Sequence, residues 1–309
     1  MPLAPLRDLL AAARTAGYAL CYCESWNLES FQAVVEAAEE LQSPVIAGFN
    51  GGFLKHASRR KPERLSCYAG LRMALEESSV PVAFILNETD DLAQIEEGMD
   101  LGFNAVMVES DYLQPDEYLQ LVKKVVRQAH AQGVSVEAQI GRLPQGSEYG
   151  HEPGRRTDPE QVRTFVEETG IDALGIAIGN IHILTRGKAS IDLDLLQKIH
   201  AEVDVPLVIH GGTSFPHQYA RQVINLGVAK LNFGTNLKQA YLAALREGLS
   251  HYQEPMSPHP FAGMGGREDI FVAAREAVKR VVQELIGLYT RPKWLREPQT
   301  GVAGKERGD

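Results

Sequence analysis

Short apolar stretches alternate with amphipathic helical ones along nearly all of the 309 residues, and that rhythm restricts the fold more than any other feature. The apolar runs YALCYC, PVIAGF, PVAFIL, NAVMVE, VSVEAQI, ALGIAI, PLVIH and KLNF are four to seven residues long. They lack the in-out alternation of half-exposed strands, so they read as strands buried on both faces. Between them the apolar spacing turns helical, as in 28–42, where Phe31, Val34, Val35, Ala38 and Leu41 fall on one stripe. Further helices are expected at 62–78, 90–101, 115–131, 158–168, 191–202, 216–226 and 236–249. Eight parallel strands in strict alternation predict an α/β fold, a closed (β/α)8 TIM barrel. A helix in PLRDLLAAARTAG precedes it and a helical extension at about 270–288 follows. An open doubly wound sheet is the runner-up, but no glycine-rich dinucleotide fingerprint follows the first strand.

One domain over 1–289 and a flexible tail over 290–309 are expected, since such barrels take about 250 residues. Two segments break the rhythm: GRLPQGSEYGHEPGRRT at 141–157 and YQEPMSPHPFAGMGGRED at 252–269. A loop of the first kind is a candidate lid, and Glu148 within it is either a visitor to the site or a solvated acid. The net charge of −9 argues against a nucleic-acid partner, which needs a basic surface. No apolar run is long enough for a membrane span. Cys21, Cys23 and Cys67 lack a second pair to build a thiolate metal site, so free thiols and a cytoplasmic location are expected.

In this fold chemistry sits at the C-terminal ends of the strands. Those ends carry Glu24, Asn50, Asn87, Glu88, Glu109, Glu137, Gln139, Asn180, His182, His210 and Asn232. One acid or histidine at a strand end is ordinarily a cap or a satisfied surface group. Four acids and two histidines at one rim repel and compete unless a counter-ion joins them. His182 and His210 are the leading metal ligands, with Glu88 completing a site of two imidazoles and one carboxylate. The rival reading caps two strands with histidines and uses no metal.

The stretch IHGGTSFP (209–216) places Gly211, Gly212 and Thr213 where backbone N–H groups can approach an anion. The next strand ends in LNFGTNL, where Asn232 and Thr235 flank a second helix start. Two such cradles after strands seven and eight match the phosphate site common in these barrels. Two ordinary strand–turn–helix connections are the plainer explanation.

The sequence resembles the class II, metal-dependent fructose- and tagatose-bisphosphate aldolase family. GYALCYCESWNLE, GFNAVMVESDYL, KKVVRQAHAQGVSVEAQIG, TDPEQVRTFVEETGIDALGIAIG, VPLVIHGGTSFP, GVAKLNFGTNL and AAREAVKRVV carry the likeness in order. The resemblance implies a carbon–carbon lyase in which a divalent metal, zinc with manganese or cobalt as alternatives, polarises a ketose carbonyl. It implies a sugar phosphate or related anion as substrate and assembly as a homodimer or homotetramer. It implies that His182 and His210 bind the metal, and that Gly211, Gly212, Thr213, Asn232 and Thr235 cradle phosphate. Arg186 stands where the family has a basic phosphate contact, and Asn50 where it has a serine.

The departures are as informative. The family's strand-three triplet Leu-Asp-His is here Leu86-Asn87-Glu88, so the proton-transferring acid is an amide and a metal histidine is a carboxylate. An amide cannot act as a general acid or base. Glu24 stands where the family has an amide, Gln139 where it has an acid, and Ile183 where it has a glycine. These exchanges predict rebuilt chemistry: Glu88, His182 and His210 hold the metal, while Glu24 or Glu109 takes over proton transfer from the position of Asn87. Alternatives are Glu88 as a base without metal in a related lyase or isomerase, and a non-catalytic sugar-phosphate-binding paralogue.

Overall fold

The computed structural model describes residues 3–110, 112–144, 146 and 154–291. Eight parallel strands close into a barrel in chain order: β1 Leu20–Ser25, β2 Val45–Asn50, β3 Val82–Thr89, β4 Ala105–Val108, β5 Ser135–Ile140, β6 Ala173–Ile176, β7 Leu207–Ile209 and β8 Val228–Phe233. The (β/α)8 architecture expected from the alternation is therefore present.

Period-two alternation sorts each strand between two apolar cores. Cys21, Cys23, Ala47, Phe49, Phe84 and Leu86 face the surrounding helices. Leu20, Tyr22, Ile46, Ala83, Ile85, Met107 and Val208 fill the lumen. Leu6, Leu10 and Ala13 of the N-terminal helix Leu6–Ala16 belong to that inner core, so the helix plugs the lower mouth. Gly17, at φ 74°, closes this helix in the left-handed conformation that a Cβ disfavours. With the lower end stoppered by aliphatics, polar lumen residues collect at the upper end.

Several element boundaries differ from expectation. The single helix expected at 62–78 is two short pieces, Ser66–Ala69 and Leu71–Glu76, joined at Gly70. Glycine weakens a helix interior, and the two pieces bury only Leu75. The helix expected at 216–226 is a 3-10 turn, His217–Tyr219, followed by Ala220–Asn225, because Pro216 fixes the entry. The final helix Ile270–Leu285 continues as a π turn, Ile286–Thr290, with Tyr289 and Thr290 buried. The Thr290 hydroxyl donates to the Ala19 carbonyl at 2.9 Å. Within the long loop, Arg142 and Arg155 exchange backbone hydrogen bonds of 2.7 Å. Glu148 lies outside the described residues, as does the tail from 292 onward. Among the described residues no helix is long and apolar enough to cross a membrane.

Candidate active site and metal centre

The site begins with an irregularity in β3. Its register with β2 runs on through Asn50 and Asn87, but the register with β4 shifts between Leu86 and Thr89. Inside that shift Glu88 adopts φ 54°, a left-handed backbone that costs a non-glycine residue about 1–3 kcal/mol and is held only where surroundings enforce it. The result re-aims the Glu88 carboxylate into the barrel mouth. Asn87 donates to Glu88 Oε1 at 2.9 Å and Asn50 to Oε2 at 2.5 Å. His210 Nδ1 lies 3.1 Å and His182 Nε2 3.7 Å from Glu88 Oε1.

His210 is gripped from both sides. Its Nε2 meets Glu137 Oε1 at 2.9 Å, and Glu137 Oε2 accepts from Lys230 Nζ at 2.7 Å. The side chains of Glu137 and Lys230 are 0% exposed. Lys230 also sits 5.1 Å above the Tyr22 ring. Burial works against a charged His210, but the hydrogen bonds its ring donates to the Glu137 and Glu88 carboxylates prevail and lift its pKa to about 9. Burial likewise opposes charge on Glu88, yet His182, His210 and Lys230 bring it down to about 2. Glu137 is lowered against burial by Lys230 and His210, while Lys230 is lowered because burial outweighs the attraction of Glu137.

This donor set fits a divalent cation. A carboxylate holding one imidazole nitrogen through its N–H leaves the other to face a metal, the usual support for a histidine ligand; Glu137 does this for His210. Donors bound tetrahedrally at about 2.0 Å lie about 3.3 Å apart, close to the separations of Glu88 from both histidines. Donor atoms of Glu88, Glu109 and His210 lie within 4.8 Å of one another, so among the described residues the compact trio has Glu109 where the sequence suggested His182, whose Nε2 is 3.7 Å from Glu88 Oε1. Gln139 holds Glu109 Oε1 at 2.9 Å. Among the described residues Tyr22 Oη, Asn87 Oδ1, Gln139 Oε1 and Asn232 Oδ1 are buried with no protein partner. Buried polar atoms are seldom left so, and these leave acceptors for a cation's shell or a substrate's hydroxyls.

Above the cluster opens a cavity of about 450 Å³ lined by Glu88, His182, Gly211, Thr213, Asn232 and Thr235, among others. Gly211 has φ 72°, and a Cβ there would stand 2.1 Å from the Ile181 carbonyl oxygen, so backbone alone fits. Thr213 Oγ1 donates to Asn236 Oδ1 at 3.0 Å, tying the turn to the helix Thr235–Ser250. Gly212, in the 3-10 turn Gly212–Ser214, is buried. Asn50 borders an adjoining cavity of about 530 Å³. Arg186 is exposed and lines neither, although Thr185 lines the first. Ile183, also on its wall, has φ 52°, a strained state for a β-branched residue. A further cavity of about 630 Å³ between the helices Pro115–Ala131 and Pro159–Thr169 reaches the cluster's surroundings through Gln139.

Asn87 is buried at 1% exposure and touches Glu88. Glu24 lines the cavity but is paired with Lys238 at 2.5 Å. Asn180 is a buried brace that donates to the His210 carbonyl at 2.9 Å. Sequence reasoning missed Lys230 and Lys238. A lysine inside the apolar run VAKLNF, two residues before Asn232, was a usable signal for the first; nothing local announces the second.

The family model described as class II fructose-bisphosphate aldolase matches residues 4–291. The YdjI aldolase from Escherichia coli K12 is similar at TM-score 0.75 and 28% identity, covering 93% of this chain and 97% of that one. A putative fructose-1,6-biphosphate aldolase from Coccidioides immitis is similar at TM-score 0.78 and 25% identity, covering 94% and 98%. The fructose-bisphosphate aldolase of Campylobacter jejuni shares the fold at TM-score 0.72 and 20% identity, covering 93% and 95%. The chain belongs to the class II fructose-bisphosphate aldolase family and is an aldolase-type lyase.

Proposed function

We propose that this lyase cleaves and forms a carbon–carbon bond in a phosphorylated ketose. Glu88, His182 and His210 hold a divalent metal, zinc with manganese or cobalt as alternatives, and Glu109 serves as the proton-transfer group. The observation that carries the reading is the Glu88–His210–Glu137–Lys230 chain of contacts (3.1, 2.9 and 2.7 Å) beneath a glycine-lined cavity. Bound there, such a cation would supply Lewis acidity for charge that develops at the ketone oxygen.

The residues divide the remaining work. Gly211, Thr213, Asn232 and Thr235, which line the cavity, bind the phosphate and so orient the adjoining ketone. Asn87 and Asn50 hold the Glu88 carboxylate by hydrogen bonds and move no proton. Glu109 takes the proton of the hydroxyl β to the ketone as the bond between the α and β carbons breaks, leaving an aldehyde and an enediolate. Glu24 is the other candidate base, but its pairing with Lys238 commits it elsewhere. Arg186 meets the phosphate only if the segment bearing it turns inward.

A homodimer or homotetramer accords with exposed Leu242, Leu249 and Phe271 on the packed helices Thr235–Ser250 and Ile270–Leu285. The free thiols suit a reducing cytoplasm. The test is Glu109→Gln in protein of measured metal content. Full metal occupancy with kcat reduced about 100-fold or more is expected; wild-type kcat in that variant removes Glu109 from proton transfer.

A further inference from the structure

The two upper cavities share Glu24, Phe53, Lys238 and Leu242, so one side of the substrate cavity opens past an ion pair into a second chamber. That pair is tightly built. Lys238 Nζ lies 2.5 Å from Glu24 Oε1, 5.5 Å from the Trp26 ring centre and 4.8 Å from that of Phe53. Glu24 is seated against the helix start, for a Cβ on Gly234 would come within 2.5 Å of its Oε2. Beyond the pair the chamber is walled by Trp26, Phe53, Leu54, Tyr241 and Leu242. Trp26 and Tyr241 meet edge to face at 5.5 Å, and Asn27 holds the Tyr241 hydroxyl at 2.8 Å.

Lys238 and Arg59 on the wall of this chamber already have acidic partners, Arg59's lying outside the wall. Lys238 is engaged by Glu24, and Arg59 by Glu63 at 2.9 Å and by the Phe53 carbonyl. His56 is turned to the Ser58 hydroxyl at 2.7 Å. A phosphate arriving here would face the Glu24 carboxylate and would have to draw a lysine away from it. A hydroxylated carbon chain meets no such barrier: its C–H faces pack on indole and phenyl rings, and its hydroxyls bond the carboxylate and the ammonium.

We infer that the Glu24–Lys238 pair is a specificity gate that admits ketoses phosphorylated only at the cradle end, whose other end is an uncharged polyol chain lying against Trp26. This rests on the reading of Gly211, Thr213 and Thr235 as the phosphate cradle. Titration calorimetry on the metal-loaded protein tests it with dihydroxyacetone phosphate, fructose 1-phosphate and fructose 1,6-bisphosphate.

Fructose 1-phosphate should bind about tenfold or more tightly than the bisphosphate. Glu24→Gln, which frees Lys238 for an anion, should shrink that ratio several-fold. Trp26→Ala should weaken fructose 1-phosphate roughly tenfold while leaving the shorter dihydroxyacetone phosphate unchanged, which also shows that the variant is folded. Bisphosphate binding equal to or tighter than the monophosphate overturns the gate and leaves the cradle standing. Failure of all three ligands to bind overturns the cradle, and the gate with it.

Discussion

Replacing Lys230 with methionine tests the electrostatic foundation of the site. The ammonium and the Glu137 carboxylate are both 0% exposed and 2.7 Å apart, so neither is relieved by solvent when its partner goes. Removing one member of a buried pair costs about 3–5 kcal/mol, and the carboxylate left here keeps His210 at 2.9 Å but loses its ammonium partner. At about 2.1 cal/mol/K per residue, 309 residues unfold with an entropy of about 0.65 kcal/mol/K, so Lys230→Met should lower Tm by roughly 5–8 °C. Adding Glu137→Gln should restore most of the loss, to within about 1 kcal/mol of wild type. The amide has the carboxylate's shape and its oxygen still accepts from His210 Nε2. Thermal unfolding of wild type, both single variants and the double variant gives the coupling directly. A single variant melting within about 1 °C of wild type, or a double variant no better than Lys230→Met, refutes the reasoning.

Three further outcomes follow from the same geometry. In chelator-treated protein His210, raised to about 9, contributes stability fully present below pH 6.5 and lost between 6.5 and 9, by about 3 kcal/mol at most. Glu88, lowered to about 2, contributes stability present above 4.5 and lost as pH falls toward 2; urea titrations across pH should show both limbs, and an alkaline limb unchanged in His210→Gln contradicts the assignment. Gly211→Ala puts a methyl 2.1 Å from a carbonyl oxygen at φ 72°, so about 2–4 kcal/mol of stability and measurable phosphate binding should both go, with near-native melting as the contrary result. Asn87→Asp replaces an amide donor to Glu88 with a second carboxylate, so the metal-free protein should lose about 1–3 kcal/mol and recover on adding zinc; equal stability with and without metal counts against it.

The barrel was legible because strands buried on both faces write continuous apolar runs, and because helices between them keep a different period. The residues at the upper mouth were legible too, since each strand's last letters point there whatever the register. What the letters did not carry was the backbone turn that aims one of them. Nothing in Leu86-Asn87-Glu88 announces φ 54° at a glutamate; the register shift against β4 enforces it. The pairing of Glu137 with Lys230 spans 93 positions and becomes visible only when β5 and β8 face each other across the lumen. Its place at a strand end makes Glu24 a candidate base, whereas its partner Lys238 comes from the helix after β8. The helix expected at 62–78 is broken for a local reason, Gly70 at the junction of its two short pieces.

Anomalous diffraction at the zinc edge, on crystals grown with zinc, measures the central arrangement most directly. A peak bonded to Glu88, His182 and His210, with Glu137 still on His210 Nε2, is the predicted result. Density elsewhere in the barrel, or these three side chains bonded only to one another at saturating zinc, would contradict it.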